Sequence, residues 1–311
     1  LVYDFTCIWF SISSVKKTVH FHVGAHKTAT TYMQSRLRSN RAHLQTQGID
    51  FVDLWAKEAA LKEYRNAFKS IIESRAADER ALSRLSGQLR NIVQNEMSAA
   101  NELAVMSFEN ILGGFDLTRS KAPYPHAGAA IRHVVEAFPE DRVRIFLSIR
   151  SLDRFLESGY VQLVSTRRET RNFKQYLKDI DLSALSWAPA VRAIESVVGA
   201  DDLFVWEYER FFLDEHKIWN ALMNRDDGES VLINPAKKSN QSLSAKGLKY
   251  LRSINRVATP ADAKKFRFFV KDKFGTQRGL KPPALLDDLR RSQLIDAYEK
   301  DRKELADLLA G

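Results

Sequence analysis

Between Thr18 and Gly24 apolar and polar positions alternate, Val19, Phe21 and Val23 against Thr18, His20 and His22, and the run stops at a glycine. A period of two predicts a strand. Past a short turn the spacing becomes helical from Tyr32 to Gln47 and closes at Gly48, with Thr28, Thr30 and Thr31 supplying N-cap chemistry at its start. Ile49 to Val52 reads as a short strand. Leu54 to Ala100 is charged and carries Leu61, Tyr64, Phe68, Ile71 and Ile72 at helical spacing, which predicts two helices. LAVMSF, Leu103 to Phe108, is a compact apolar run and predicts a second core strand, with Glu109 at its carboxyl end. The Gly- and Pro-bearing stretch from Asn110 to Pro125 is a loop of the length that marks functional loops.

Farther on, the pattern predicts a helix from His126 to Phe138, then a strand from Val143 to Ile149. The unbroken VRIFLSI character of that strand suits a parallel strand covered on both faces. Arg150 follows it directly. Helices are expected from Ser151 to Arg168 and from Trp187 to Val198, a strand from Leu203 to Trp206, then Tyr208-Glu209 and an amphipathic segment from Phe211 to Met223. Strands alternating with helices give an α/β class, a three-layer fold with a central parallel sheet flanked by helices. From Lys237 onward only helical periodicity is found, punctuated by Pro260, Pro282 and Pro283, so residues 237–311 are expected to form a helical part packed on the sheet. With no repeat, low-complexity tract or linker, residues 1–311 read as one domain, residues 1–16 being a peripheral leader.

Composition narrows the partners. Of 311 residues 44% are hydrophobic, enough for an ordinary globular core, and 48 Lys and Arg against 39 Asp and Glu leave a formal charge of +9. That balance suits an anionic substrate, and no nucleic-acid-binding motif accompanies it, so no nucleic-acid partner is expected. The basic run Lys264, Lys265, Arg267, Lys271, Lys273, Arg278 and Lys281 reads first as a solvated helix face, with a place at the mouth of an anion site as the alternative. A lone cysteine, Cys7, rules out an internal disulfide framework and fits a reducing compartment. No run reaches the ~18 apolar residues of a membrane span. Leu1 to Ser14 lacks a basic region ahead of it and is broken by Asp4, so a cytoplasmic location is expected.

The chemistry concentrates where the first strand ends. A strand that passes through a small-residue turn into a helix N-terminus aims unpaired N–H groups and the positive dipole end at one point, and Lys27 adds charge there. This is the pattern of a phosphate or sulfate cradle. A Walker A loop needs G-x-x-x-x-G-K-[ST], whereas here Lys27 follows Gly24 by three residues. The order Lys27-Thr28-Ala29-Thr30-Thr31-Tyr32 instead resembles the K-[ST]-G-T-T-[WYF] loop of sulfotransferases that use 3′-phosphoadenosine 5′-phosphosulfate (PAPS), with Ala29 in place of the usual glycine. A kinase with an atypical P-loop, a non-catalytic nucleotide- or anion-binding protein, and a plain turn binding no anion all remain open on the loop alone.

A second stretch matches independently. IRSLDRFLESGY, Ile149 to Tyr160, is similar to the family's R-x-P-x-x-R-x-x-S-x-Y segment through Arg150, Ser158 and Tyr160, while Leu152 replaces the proline and Arg154 stands one position early. Positions i, i+4 and i+8 share a helical face, so Arg150, Arg154 and Ser158 are expected to converge on one phosphate. The resemblance implies a 5′-phosphosulfate site at Gly24, His26, Lys27, Thr28, Ala29, Thr30 and Thr31, and a 3′-phosphate site at Arg150, Arg154 and Ser158. It also implies Tyr208 near the adenine or 3′-phosphate, and Asn240 and Ser242 farther out. Transfer would go to a hydroxyl, or an amine, of a small molecule or glycan. Lys27 would serve the leaving oxygen and Glu109 would be the base, with His126 as alternative. No metal is required in that picture, and His20, His22 and His26 read as packing rather than as ligands, for want of an acidic third partner.

Overall fold

A computed structural model of the chain describes residues 17–56, 59–72, 78–98, 100–225, 232–235 and 242–309. The leader with Cys7 and the residue Asn240 lie outside them. In chain order the first half runs β1 (Thr18–Gly24), α1 (Thr30–Thr46), β2 (Ile49–Val52), α2 (Ala59–Ile72), α3 (Glu79–Glu96), β3 (Leu103–Ser107), α4 (Leu117–Ser120), α5 (Ala127–Ala137) and β4 (Arg142–Ile149). The second half continues with α6 (Leu152–Thr166), α7 (Phe173–Leu177), α8 (Ala188–Val198), β5 (Leu203–Glu207), α9 (Glu215–Met223), α10 (Ala245–Val257), α11 (Pro260–Phe274) and α12 (Asp288–Glu304).

The five strands among the described residues join one parallel sheet in the order β2-β3-β1-β4-β5. The alternation in β1 has a direct physical meaning. Val19, Phe21 and Val23 enter the large core on one face, among side chains of α2, α3, α5, α6 and α8. His20 and His22 point to the other face, where α1 and α9 build a smaller core around Met33, Leu37, Trp206, Trp219 and Leu222. Both faces are therefore covered, as a parallel sheet requires, and full burial of each such aliphatic or aromatic side chain stabilises by about 1.5–3 kcal/mol.

The connection after β1 leaves on the face of α1, whereas those after β3 and β4 leave on the opposite face. The carboxyl end of β1 is thus the switch point at which an open α/β sheet forms a crevice. The register pairs His22 with Ser107 and Gly24 with Leu147, so β1, β3 and β4 end close together at that edge.

Two expectations change in detail. The loop from Asn110 to Pro125 is not irregular throughout: a 3-10 turn over Glu109–Leu112 and α4 give it internal structure. The amphipathic segment from Phe211 to Met223 is helical only from Glu215, after a 3-10 turn over Tyr208–Arg210. Among the described residues from 242 onward there is no strand, only the isolated bridges Leu243 to Gly275 and Val205 to Leu309. In this stretch α12 sits on α6, with Arg291 donating to Asp153 at 2.7 Å and Glu157 at 2.8 Å.

Candidate functional site

The loop between β1 and α1 is held open by its own side chains. Gly24 has φ 101°, and a Cβ there would lie 2.9 Å from the Cβ of Glu109, so the residue must lack a side chain for both reasons. Ala25 N donates to Ser148 O at 2.9 Å, anchoring the turn to β4. The hydroxyls of Thr28 and Thr30 both donate back to Ala25 O, at 2.6 and 3.0 Å. Sequence chemistry predicts these threonines as caps of α1, but the N-cap residue is Ala29, in the left-handed region with no side-chain cap bond. Their hydroxyls fold the loop instead. In consequence the backbone N–H groups of Lys27, Thr28, Ala29, Thr30 and Thr31 donate to no acceptor among the described residues. Five successive free donors at the start of a 17-residue helix form a concavity suited to an oxyanion.

Ala29 occupies the position that is glycine in the resembling loop, and its φ of 63° explains that preference. An alanine in the left-handed region is strained by about 1–2 kcal/mol. Ala29→Gly is therefore expected to raise the midpoint of urea unfolding, with a net gain of less than about 1 kcal/mol because glycine also loosens the unfolded chain. A lower midpoint would show that the methyl group packs more usefully than its strain costs.

Lys27 is half-buried, and its ammonium donates to Gln162 Oε1 of α6 at a long 3.5 Å. Burial, then the neighbouring charges of Arg150 and Lys271, bring its pKa down to about 8. An ammonium desolvated among other cations gains strongly from an anion beside it.

Arg150 leaves the end of β4 and crosses the crevice. It donates to Lys27 O at 2.7 Å and to Ser158 Oγ at 3.4 Å, and its guanidinium lies over the Tyr208 ring, 4.5 Å from the centroid. Trp187 fixes its backbone by donating Nε1–H to Arg150 O at 2.7 Å. Glu209 stands 4.0 Å from the guanidinium. Arg150, Ser158 and Tyr208 thus meet beside Lys27. Arg154 is placed differently. Its side chain is 59% exposed and its guanidinium lies 3.6 and 3.7 Å from the carboxylates of Asp153 and Glu157, not on Ser158. Tyr160, the last residue of that segment, is core: its hydroxyl donates to Arg171 O and its ring packs on Phe173 and Tyr176.

Across the crevice Glu109 opens the turn after β3, its carboxylate accepting from Gln34 Nε2 of α1 at 2.7 Å. His26 is gripped on both ring nitrogens. Its backbone N–H donates to the Tyr124 hydroxyl at 2.9 Å, Nδ1 pairs with the same hydroxyl at 2.8 Å, and Nε2 lies 2.8 Å from Asn110 Oδ1, which can only accept. Both ring nitrogens are thereby engaged, which fixes the orientation of the imidazole. Phe115 lies against its face, centroids 4.9 Å apart. His126 begins α5 with no side-chain cap bond, and among the described residues its side chain has no hydrogen bond to the loop.

Tyr124, Asn110, Gln34, Gln162 and Trp187 carry no sequence signal of their own. Two of them lie in the Gly- and Pro-bearing loop, but only the tertiary fold shows that Tyr124 and Asn110 reach His26. Ser242, expected at the periphery, accepts at its carbonyl from Thr276 N at 2.9 Å, and no hydrogen bond among the described residues ties it to the crevice.

His20 and His22 are packing residues. His20 Nδ1 pairs with Leu222 O at 2.8 Å and His22 Nδ1 with Ser107 Oγ at 2.8 Å, while burial lowers their pKa values to about 4 and about 3. Both stay neutral at physiological pH. Among the described residues no group of three or more His, Cys, Asp and Glu side chains is arranged to hold a metal ion. Nor is any helix there long and apolar enough to cross a membrane.

No protein-family model matches the chain, and a search of curated proteins finds no match. Among solved structures, one similar chain is a sulfotransferase from Alicyclobacillus acidocaldarius, 17% identical, covering 78% of this chain and 93% of its own, with a TM-score of 0.42. Another is retinol dehydratase in complex with androsterone and inactive cofactor PAP, 12% identical, covering 94% of this chain and 82% of its own, with a TM-score of 0.37. Both scores are too low to carry an argument about function.

Proposed function

We propose that this chain is a PAPS-dependent sulfotransferase that moves a sulfuryl group to a hydroxyl on a small molecule or glycan. The observation that carries this reading is the row of free N–H groups from Lys27 to Thr31, with Lys27 itself and the Arg150–Ser158–Tyr208 cluster on the same crevice. One end of that crevice suits a sulfated 5′-phosphate. The other offers an arginine fork, a hydroxyl and an aromatic face, which suit a 3′-phosphate and its nucleoside.

In such a transfer the acceptor oxygen forms a bond to sulfur as the bond to the phosphate oxygen breaks, releasing the 3′,5′-bisphosphorylated nucleoside. Charge grows on the leaving oxygen, where Lys27 and the loop donors stand, and the acceptor's proton passes to Glu109. Arg154, turned toward Asp153 and Glu157, would act only after its side chain swings, so the main 3′-phosphate contacts are assigned to Arg150 and Ser158.

A screen of hydroxyl acceptors with sulfur-labelled PAPS tests the activity. Labelled product in the presence of chelator supports it. Transfer of phosphoryl from ATP that needs Mg²⁺ would assign the site to the kinase alternative, and tight nucleotide binding without turnover on any acceptor would assign it to a binding protein.

Arg150→Ala and Ser158→Ala are expected to weaken binding of the 3′-phosphorylated nucleotide by about one to two decades, the scale of a lost charge-assisted bond. Adenosine 5′-phosphosulfate, which lacks that phosphate, should bind nearly as before. Calorimetry on both nucleotides decides it, since equal losses would place the 3′-phosphate elsewhere.

A further inference from the structure

The outer surface of α10 and α11 has a composition unlike the rest of the chain. From Ala245 to Lys281 there are eleven Lys and Arg side chains and two Asp, a net +9 equal to the formal charge of all 311 residues. The remainder of the chain is therefore neutral overall, and its positive field originates in this one hairpin. Three phenylalanines of α11 have their rings in water: Phe266 is 46% exposed, Phe268 60% and Phe269 55%. Arg267 lies over Phe268 at 4.8 Å, so cation and ring are interleaved rather than segregated. Of the two acids, Asp272 is already engaged by Lys273 and Arg278, both at 3.2 Å.

Helix α11 buries only Ala263 and Val270 fully against the protein, so the phenylalanines are not an inward face that missed its partner. Solvated aromatics of this number are costly to leave in water and mark an interaction surface. Their charge surroundings select the partner. A second copy of this chain would bring +9 against +9. An anionic bilayer instead offers headgroups to the lysines and an interfacial apolar layer to the rings.

We propose that α11, with the adjoining part of α10, docks the protein on an anionic lipid surface, with Phe268 and Phe269 entering the headgroup boundary and Lys264, Lys265 and Lys273 meeting the headgroups. Lys271 on the same helix lies near enough to Lys27 to influence its charge, so docking would hold the crevice at the membrane surface. Lipid binding by this face is independent of which group the crevice transfers.

The test is co-sedimentation of the full chain with vesicles of phosphatidylcholine alone and of phosphatidylcholine with about 30% phosphatidylserine. Wild type is compared with Phe268→Ser/Phe269→Ser and with Lys264→Glu/Lys265→Glu, all exposed positions outside the crevice, and circular dichroism confirms the fold of each. Binding at least about tenfold tighter to the anionic vesicles, reduced about tenfold or more by either double variant and by raised salt, supports the proposal. Equal binding to neutral vesicles overturns it. So does retention of a sulfated polysaccharide with no vesicle binding, or a dimer in light scattering that the phenylalanine variant dissociates, since each gives the face another occupant.

Discussion

Replacing Lys27 with alanine is expected to lower turnover by roughly two to three orders of magnitude, the scale for losing one donor aimed at developing transition-state charge. Nucleotide affinity falls less, because the N–H groups of residues 27–31 still face the anion. The pKa of about 8 adds a pH signature. In kcat/KM, which reports the free enzyme, the activity carried by protonated Lys27 declines as pH rises through about 8. Stability moves the other way. A lysine whose folded pKa lies below its unfolded value binds fewer protons when folded, so between about pH 8 and the unfolded value stability rises with pH. Below pH 8 the full desolvation penalty of the ammonium is present. Lys27→Met, which keeps the stem and removes the charge, is accordingly expected to melt no lower than wild type at neutral pH while losing turnover as Lys27→Ala does. Steady-state kinetics and thermal melts across pH check both. Wild-type turnover in either variant would remove Lys27 from the leaving oxygen, and a lower melting point for Lys27→Met would show that the ammonium is already well compensated in the folded chain.

Much of the fold was readable because the local signals agreed. All five strands lie where period-two or unbroken apolar runs placed them, and the turn into α1 was recognisable from Gly24, Lys27 and three threonines. What the pattern misjudged was the work of the threonines. Capping is the common role of such residues, but here a left-handed Ala29 takes the cap position and Thr28 and Thr30 turn inward to Ala25 O. No periodicity encodes that choice. It depends on Ser148 of β4 receiving Ala25 N, a contact 123 residues away. Arg154 illustrates the same limit. Helical spacing put it on the face of Arg150 and Ser158, yet Asp153 and Glu157, its neighbours in sequence, lie within 4 Å and draw its guanidinium outward. Those two acids are themselves held by Arg291 of α12, a partner that only tertiary structure supplies.

Glu109→Gln is expected to reduce turnover by about two to four orders of magnitude, the range for removing a general base, with nucleotide binding intact. The geometry behind this begins with Gly24. Because that residue has no side chain, the Cβ of Glu109 packs against the loop, at a distance where any Cβ on residue 24 would collide with it. The carboxylate is then oriented by Gln34 Nε2, which comes from the helix that the loop initiates, so the loop and the proposed base are set by one local structure. Glutamine preserves the shape and can still pair with Gln34, but it cannot take a proton. Neither rival histidine fits the role as well. His26 is fixed with Nε2–H on Asn110 and Nδ1 on the Tyr124 hydroxyl, leaving no lone pair for an incoming alcohol, and His126 stands at the start of α5 with no hydrogen bond to the cradle among the described residues. His126→Ala should therefore keep near-native turnover. Tyr124→Phe should weaken turnover only modestly, through the loop it braces, and Gly24→Ala should impair both nucleotide binding and stability by forcing loop and base apart. Parallel kinetics and nucleotide titrations on these four variants decide between the groups. Near-native turnover in Glu109→Gln, together with its loss in His126→Ala at unchanged nucleotide affinity, would transfer the proton-accepting role to His126.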